Sequence, residues 1–566
     1  MSRTVGLLSA LLMLPPAAFA ERHGESPTAM AAATIDAQGL AAAIRFLSSD
    51  DLEGRGPGGR GDRLTQVYLA TELEAIGLEP GSPSGSWLQP FPMVGIESQA
   101  PELWSFGKSG RKIALRLSDD FVAVSGTTAP ESRLDAAEVV FVGYGIQAPE
   151  YGWNDFKGVN LQGKVLLMLN NDPDWDENLF AGKRRLYYGR WSYKYESAAR
   201  QGAAGAIIVH TTPSAAYPWQ VVQSGWSGER FELAAGSSAL SPADTRSLQV
   251  KGWVTEEAAT KLVDLGGRKL AELVESAKRY DFRPVPLGVT SSMALTNRLR
   301  NVETANVAGL LEGSDPLLEN EVVIYTAHHD HLGIGDADKE GDTIYNGAVD
   351  NASGSAQILS IARAFAALPA ASRPRRSLLF LFVAAEEQGL LGSSFHARNP
   401  TFPAGRIAAN VNLDSGNIYG RTRDITYVGY GKSTLDGVVE RAAAAQGRVV
   451  KGDQAPEKGS FYRSDQFNFA REGVPAVYLD PGTDFLEPDA AKKRARQESY
   501  DSTCYHQACD EMSADWSFDG MIEDARLAFA IGLEIANADA MPTWYPGDEF
   551  EAARKASLAS LADSGR

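Results

Sequence analysis

Cysteine is nearly absent: Cys504 and Cys509 are the only two in 566 residues. Histidine is almost as scarce, at seven. A framework of several disulfides is excluded, and so is a zinc site built of four thiolates. Positive charge is also in short supply. The chain has 54 lysines and arginines against 72 acids, a formal charge of -18. Nothing here would neutralise a run of phosphates, which argues against nucleic acid and against an anionic membrane surface. Beyond the first 20 residues the longest apolar run is Leu378 to Ala385, which is strand length and too short to cross a bilayer. There is no G-x-S-x-G elbow and no G-x-G-x-x-G following a strand. Both absences disfavour a serine hydrolase and a dinucleotide-binding enzyme.

The amino terminus is informative. Arg3, the apolar run Val5 to Leu14 and Ala18-Phe19-Ala20 fit a cleaved signal peptide over residues 1–20. The expectation is a periplasmic or secreted protein with no membrane insertion after cleavage. The single N-x-S/T sequon, Asn351-Ala352-Ser353, lies inside a chemistry-bearing motif, which fits a bacterial periplasm better than a eukaryotic route. In that oxidising setting two lone cysteines tend to pair. The alternative is a metal trio of Cys504, His506 and Cys509.

Length predicts more than one core. Residues 21–127 are expected to open a catalytic domain, with 128–286 inserted into it, 287–545 completing it and 546–566 a polar tail. Within 128–286, runs such as "AEVVFVGYGI", "KVLLMLNND" and "GAIIVHT" read as strands separated by turns, an α+β module. From about residue 301, apolar strands alternate with amphipathic helices. That pattern predicts an α/β fold: a mixed, mainly parallel twisted sheet with helices on both faces. Arg60-Gly61-Asp62 reads as a glycine-rich turn with solvated charges. His23, His210 and His396 stand outside every motif and read as surface or packing residues.

The residues that end the strands carry the chemistry. "EVVIYTA" runs into His328-His329-Asp330-His331, "SLLFLFVAA" into Glu386-Glu387, and "IAANVNL" into Asp414; Asp350 sits in a loop before a helix. Ligand sites form at the carboxyl ends of such strands. Clustered acids there would be costly to bury unpaired, and a bound cation is the simplest remedy. Imidazole and carboxylate without thiolate suit zinc, and also manganese, cobalt or iron. Two histidines with three carboxylates exceed one tetrahedral zinc and suit two metals sharing a carboxylate, with a bridging hydroxide as nucleophile. Adjacent Glu386 and Glu387 allow one to bind metal and the other to move protons.

The motifs "TAHHDHLG", "GAVDNASG", "AAEEQGLLGS", "NLDSGN", "FYRSDQFNFAREGVPAVYL" and "YHQACD" together resemble the co-catalytic di-zinc peptidases of clan MH. These include bacterial aminopeptidases and glutamate carboxypeptidases, and also the metal-free transferrin receptor, a binding homologue without catalysis. The resemblance implies the zinc-dependent exopeptidase fold, with 128–286 similar to a protease-associated domain. It implies peptide substrates and two zinc ions: His328 and Asp414 on one, Glu387 and His506 on the other, Asp350 bridging. Glu386 would be the general acid/base, and Asp330 would hold the imidazole of His328. An aminopeptidase is expected, with a carboxypeptidase or dipeptidase as the alternative. His329 stands where family members often have tyrosine, and is a lesser ligand candidate than His328. His331 reads as structural or supporting. Asp465 resembles a substrate-side position. A Cys504–Cys509 disulfide would then tether the loop that presents His506.

Overall fold

The structure, a computed structural model, describes residues 26–177, 179–215, 217–226, 228–234 and 248–564. The expected signal peptide, residues 1–20, and His23 lie outside the described residues. Four parallel strands form the middle of the larger unit, in the order Ser377–Val383, Val322–His328, Ile407–Leu413 and Ala476–Asp480. Antiparallel strands flank them. The long strand Val285–Leu311 pairs with Ser377–Val383 on one side, and Asp424–Val428 pairs with Ala476–Asp480 on the other. The sheet is thus mixed and mainly parallel, as the alternation of strands and helices predicts.

The central strands are buried on both faces, so alternate side chains serve two cores. Leu378, Phe380 and Phe382 enter one core with Tyr325 and Val323, beneath the helices Gly354–Ala366 and Asp519–Asn537. Leu379, Leu381 and Val383 enter the other with Ile324 and Phe469 from the helix Gln466–Arg471. The helix Gly354–Ala366 packs because Ile358, Leu359, Ala362 and Phe365 recur at helical spacing and are fully buried.

A second unit has its own core. Parallel strands Val165–Leu169, Gly205–His210 and Val250–Thr255 are flanked by helices Trp191–Arg200, Glu256–Leu265 and Leu270–Ala277. This core is wider than 128–286. Trp104, Phe106, Leu115 and Phe121 enter it from the amino-terminal side, and Val289, Met293 and Leu295 from the other. The strand Val285–Leu311 leaves this core and continues into the larger sheet. It pairs with Leu88–Gln99 over Thr296 to Val307. The tail after residue 546 is largely helical, from Glu551 to Ser564, and Arg554 anchors it by donating to the Ile407 and Ala404 carbonyls.

Candidate metal centre

The carboxyl ends of the parallel strands deliver the sequence-derived residues to one place. His328 ends its strand, and its Nε2 lies 2.8 Å from Asp414 Oδ1 and 3.1 Å from Asp350 Oδ1. The other oxygen of Asp350 lies 3.2 Å from His506 Nε2, which is 3.0 Å from Glu387 Oε2. Asp350 therefore turns one oxygen to the pair His328/Asp414 and the other to the pair His506/Glu387. Atoms bound about 2 Å from one tetrahedral ion lie roughly 3.3 Å apart. The spacings here match that figure, and His506 Nε2 makes no well-formed hydrogen bond to either carboxylate. Among the described residues, His328, Asp350 and Glu387 bring one donor atom each within 4.8 Å of one another. The donors fit divalent zinc in number, chemistry and spacing.

Local backbone explains how these side chains converge. Ala385 at φ 56°, Leu390 at φ 62°, His506 at φ 57° and Arg55 at φ 53° all occupy the left-handed region without being glycine. Each costs of order 1 kcal/mol or more, and such strain gathers at functional sites. The peptide between Asp350 and Asn351 is cis. Gly354 is required where the helix passes the site, because a Cβ there would stand 2.2 Å from Asn351 Oδ1 and 2.4 Å from the Leu413 carbonyl. Asn306 pins the turn after Val383 by accepting from the Ala384 amide and donating to the Gly392 carbonyl.

The electrostatics are those of an acidic, dry cluster. Burial pulls the His506 imidazole down, but Glu387 and Asp350 outweigh it and lift its pKa to about 10. Burial likewise opposes a rise at His328, and Asp414 and Glu386 overcome it, holding His328 well above the usual range. Burial, followed by repulsion from Asp414, Glu387 and Asp465, pushes Glu386 well above the ordinary carboxylate value, though His328 pulls it back. Asp465 is pushed up to about 7 by burial chiefly, and neither of its oxygens accepts a well-formed hydrogen bond.

Asp62 departs from the sequence-based expectation, and other residues around the centre add detail to it. The carboxylate of Asp330 stands 3.8 Å from His328 Nδ1, and it has a second task. His328 Nδ1 faces the Asp330 backbone carbonyl at 3.2 Å, while the Asp330 side chain accepts from the Glu386 and Glu387 amides at 3.0 and 3.4 Å. The carboxylate thus fixes the backbone that carries both glutamates. His329 points away, to Asp62 Oδ1 at 3.2 Å. Asp62 is fully buried rather than solvated. It also accepts from the Gly58 amide, Gln66 and Thr304. Its helix, Arg60–Ile76, starts at the Arg-Gly-Asp triplet read above as a turn. His331 Nδ1 lies 2.7 Å from Glu387 Oε1 and orients that carboxylate. His396 is buried and donates to Gln89 Oε1 at 2.8 Å; His210 meets the Tyr217 carbonyl.

Two supporting residues escaped the sequence reading. Asp510 accepts from the Val349 and Asp350 amides at 3.0 and 3.1 Å and from Tyr500 Oη at 3.0 Å. Arg55, in the glycine-rich stretch after the second helix, donates to the carbonyls of His329, Leu47, Asn346 and Gly347. Asp510 carries one signal, its place directly after Cys509; Arg55 carries none. Cys504 and Cys509 form a disulfide that brackets His506, and the Tyr505 ring stacks on the His506 ring at 3.9 Å.

Residues 306–530 match the model of peptidase family M28. That match covers well under half of the 566 residues and shows what this segment is similar to. The M28 segment contains every donor described above. Leupeptin-inactivating enzyme 1 of Streptomyces exfoliatus is 27% identical over 245 residues, 42% of this chain and 49% of that protein. Aminopeptidase NAALADL1 of Rattus norvegicus is 34% identical over 150 residues, 25% of this chain and 18% of that protein. The chain thus spans about half the length of the first relative and under a fifth of the second. Among solved structures, an aminopeptidase from Aneurinibacillus sp. strain AM-1 aligns over 90% of this chain and 95% of that one, at 18% identity and a TM-score of 0.49.

Proposed function

We propose that this M28 protein is an exported zinc exopeptidase with two metal positions that releases amino-terminal residues from peptides. The observation that carries the reading is Asp350, whose two oxygens face two separate imidazole–carboxylate pairs. His328 and Asp414 would hold one zinc, His506 and Glu387 the other, and Asp350 both. Two zinc ions there would polarise the scissile carbonyl and ionise a water at neutral pH. Glu386, outside both donor sets, takes the water's proton on a carboxylate oxygen and returns it to the leaving amine. Its raised proton affinity suits that exchange. Asp330 keeps Glu386 and Glu387 in register through their amides, and His331 aims Glu387. Export is supported by the signal-like residues 1–20 and by the disulfide. The choice of chain end is supported by the rat relative, which is named an aminopeptidase. A carboxypeptidase or dipeptidase of the same family is the alternative.

The test is to strip the protein with a chelator, restore zinc, count the metal and follow a mixed peptide library by mass spectrometry. Two zinc ions per chain and shortening from the amino end are expected. A single zinc, or shortening from the carboxyl end, would overturn the corresponding part.

A further inference from the structure

Every donor of the metal centre lies within residues 306–530, the segment that matches family M28. The loops that carry His328 and Asp350 nevertheless lean on residues 50–62, far outside it. Gly54 enters between them. A Cβ there would stand 2.5 Å from the Gly333 carbonyl oxygen and 2.5 Å from that of Tyr345, so only glycine lets the stretch lie against both backbones. Arg55 follows and is 1% exposed. Its Nε donates to the His329 carbonyl at 2.8 Å, its Nη1 to the Asn346 carbonyl at 2.6 Å and to that of Leu47, and its Nη2 to the Gly347 carbonyl at 2.9 Å. The Arg55 carbonyl in turn accepts from the His331 amide at 3.4 Å. On either side, Asp50 Oδ1 accepts from Asn346 Nδ2 at 2.9 Å, and Asp62 Oδ1 meets His329 Nε2 at 3.2 Å.

One guanidinium thus ends on both ligand loops. His329 directly follows His328, and Gly347 comes three residues before Asp350. A buried cation is unfavourable unless nearby acids compensate it. The acids whose charge Arg55 feels most are Asp330, Asp510, Asp350 and Glu387. Its hydrogen bonds go to carbonyls and not to these carboxylates. The charge of the acids is therefore balanced while the oxygens of Asp350 and Glu387 are left to the imidazoles and the metal.

We propose that Arg55 is a positioning residue of the metal centre: a fixed internal cation that locks the His328 and Asp350 loops in the metal-ready arrangement before zinc binds. The proposal rests on the two-metal peptidase reading. It makes residues 50–62 a working part of a centre whose donors all lie elsewhere in the chain. Arginine suits this task because its planar fork presents N–H donors in fixed directions and stays charged when buried. One side chain can then reach four carbonyls. Lysine would keep the charge and lose the fork.

The test compares the full chain with its Arg55→Lys and Arg55→Met variants, each stripped of metal and then titrated with zinc against a chromogenic chelator. Hydrogen exchange of the stripped proteins, read by mass spectrometry on peptides covering 328–331 and 346–351, reports the loops directly. In Arg55→Met, exchange in both stretches should rise about tenfold or more, and zinc affinity should fall about ten- to a hundredfold. Arg55→Lys should fall between Arg55→Met and wild type. The strands Ser377–Val383 and Ile407–Leu413 should stay as protected as in wild type. A merely structural arginine would instead raise exchange throughout, those strands included, and that result overturns the proposal. Unchanged exchange in the two loops, or unchanged zinc affinity, overturns it as well. If Arg55→Met does not fold, Arg55→Lys and Asp50→Ala carry the test. Asp50 is exposed, and its loss should give a smaller change of the same sign confined to 346–351. Loosened loops and weakened zinc in the variants, beside a wild type that cleaves no peptide, keep the positioning role and sink the peptidase reading. An active wild type whose variants match it in exchange and affinity does the reverse.

Discussion

Asp510 offers the sharpest test of how the bridging carboxylate is held. Its two oxygens accept the Val349 and Asp350 amides and the Tyr500 hydroxyl, in a site only 2% exposed. Asp510→Asn preserves shape but replaces one acceptor oxygen by an amide donor, which cannot pair with a backbone N–H. Hydrogen bonds to a charged acceptor contribute about 1.5–3 kcal/mol each, and a neutral replacement about 1 kcal/mol. Two charged bonds become one neutral bond, a loss of about 2–5 kcal/mol. The loop that loses it positions Asp350, so the loss appears in metal affinity, at least about tenfold. The assay is competition for zinc against a chromogenic chelator, run beside thermal unfolding. Tyr500→Phe, which removes only the third bond, costs about 1 kcal/mol and serves as the graded control. Unchanged zinc affinity and an unchanged melting temperature in Asp510→Asn would refute this account of the Asp350 loop.

Glu386→Gln should retain zinc and lose about 100- to 10,000-fold in kcat; full activity with metal bound would remove it as the proton carrier. Cys504→Ser with Cys509→Ser should weaken zinc binding more than global stability, because the closed loop is short and brackets His506; equal zinc affinity by the same competition assay would contradict this. Burial lowers the His396 pKa to about 4. The unfolded state therefore binds the extra proton first as pH falls, and stability is full above about 6.5 and declines towards 4, by about 3 kcal/mol. His396→Asn should flatten that slope relative to wild type in denaturant titrations across this range, and an identical slope would refute it. Deletion of residues 128–286 should give an insoluble chain, since Trp104, Phe106, Leu115 and Phe121 would lose their core; a soluble, zinc-binding product would show that the larger unit folds alone.

The sequence showed most where an apolar run met a polar ending. Leu378 to Ala385 before Glu386-Glu387, and "IAANVNL" before Asp414, mark strand ends because buried acids have no other reason to follow such runs. The same logic placed His328. It failed where polarity and burial part company. Asp62 and Arg55 lie among glycines, which read as exposed turn, yet both are buried by partners more than 200 residues away, Thr304 and His329. The further role of Asp330 could not be read because its carboxylate also serves backbone amides, and any residue supplies those. The strand Val285–Leu311 also went unrecognised. Its first half alternates exposed and buried positions through Thr290, Asn297 and Arg300, so no apolar run announces it.

That strand has a mechanical meaning. Its early residues belong to the second core and its late residues to the sheet under the metal centre, with the Leu88–Gln99 strand laced to it across the join. Ladder hydrogen bonds resist bending there as a stiff girder does. Swinging the two units apart about that line would break those ladder bonds. The same girder denies proteases a weak seam at which to cut the molecule in two.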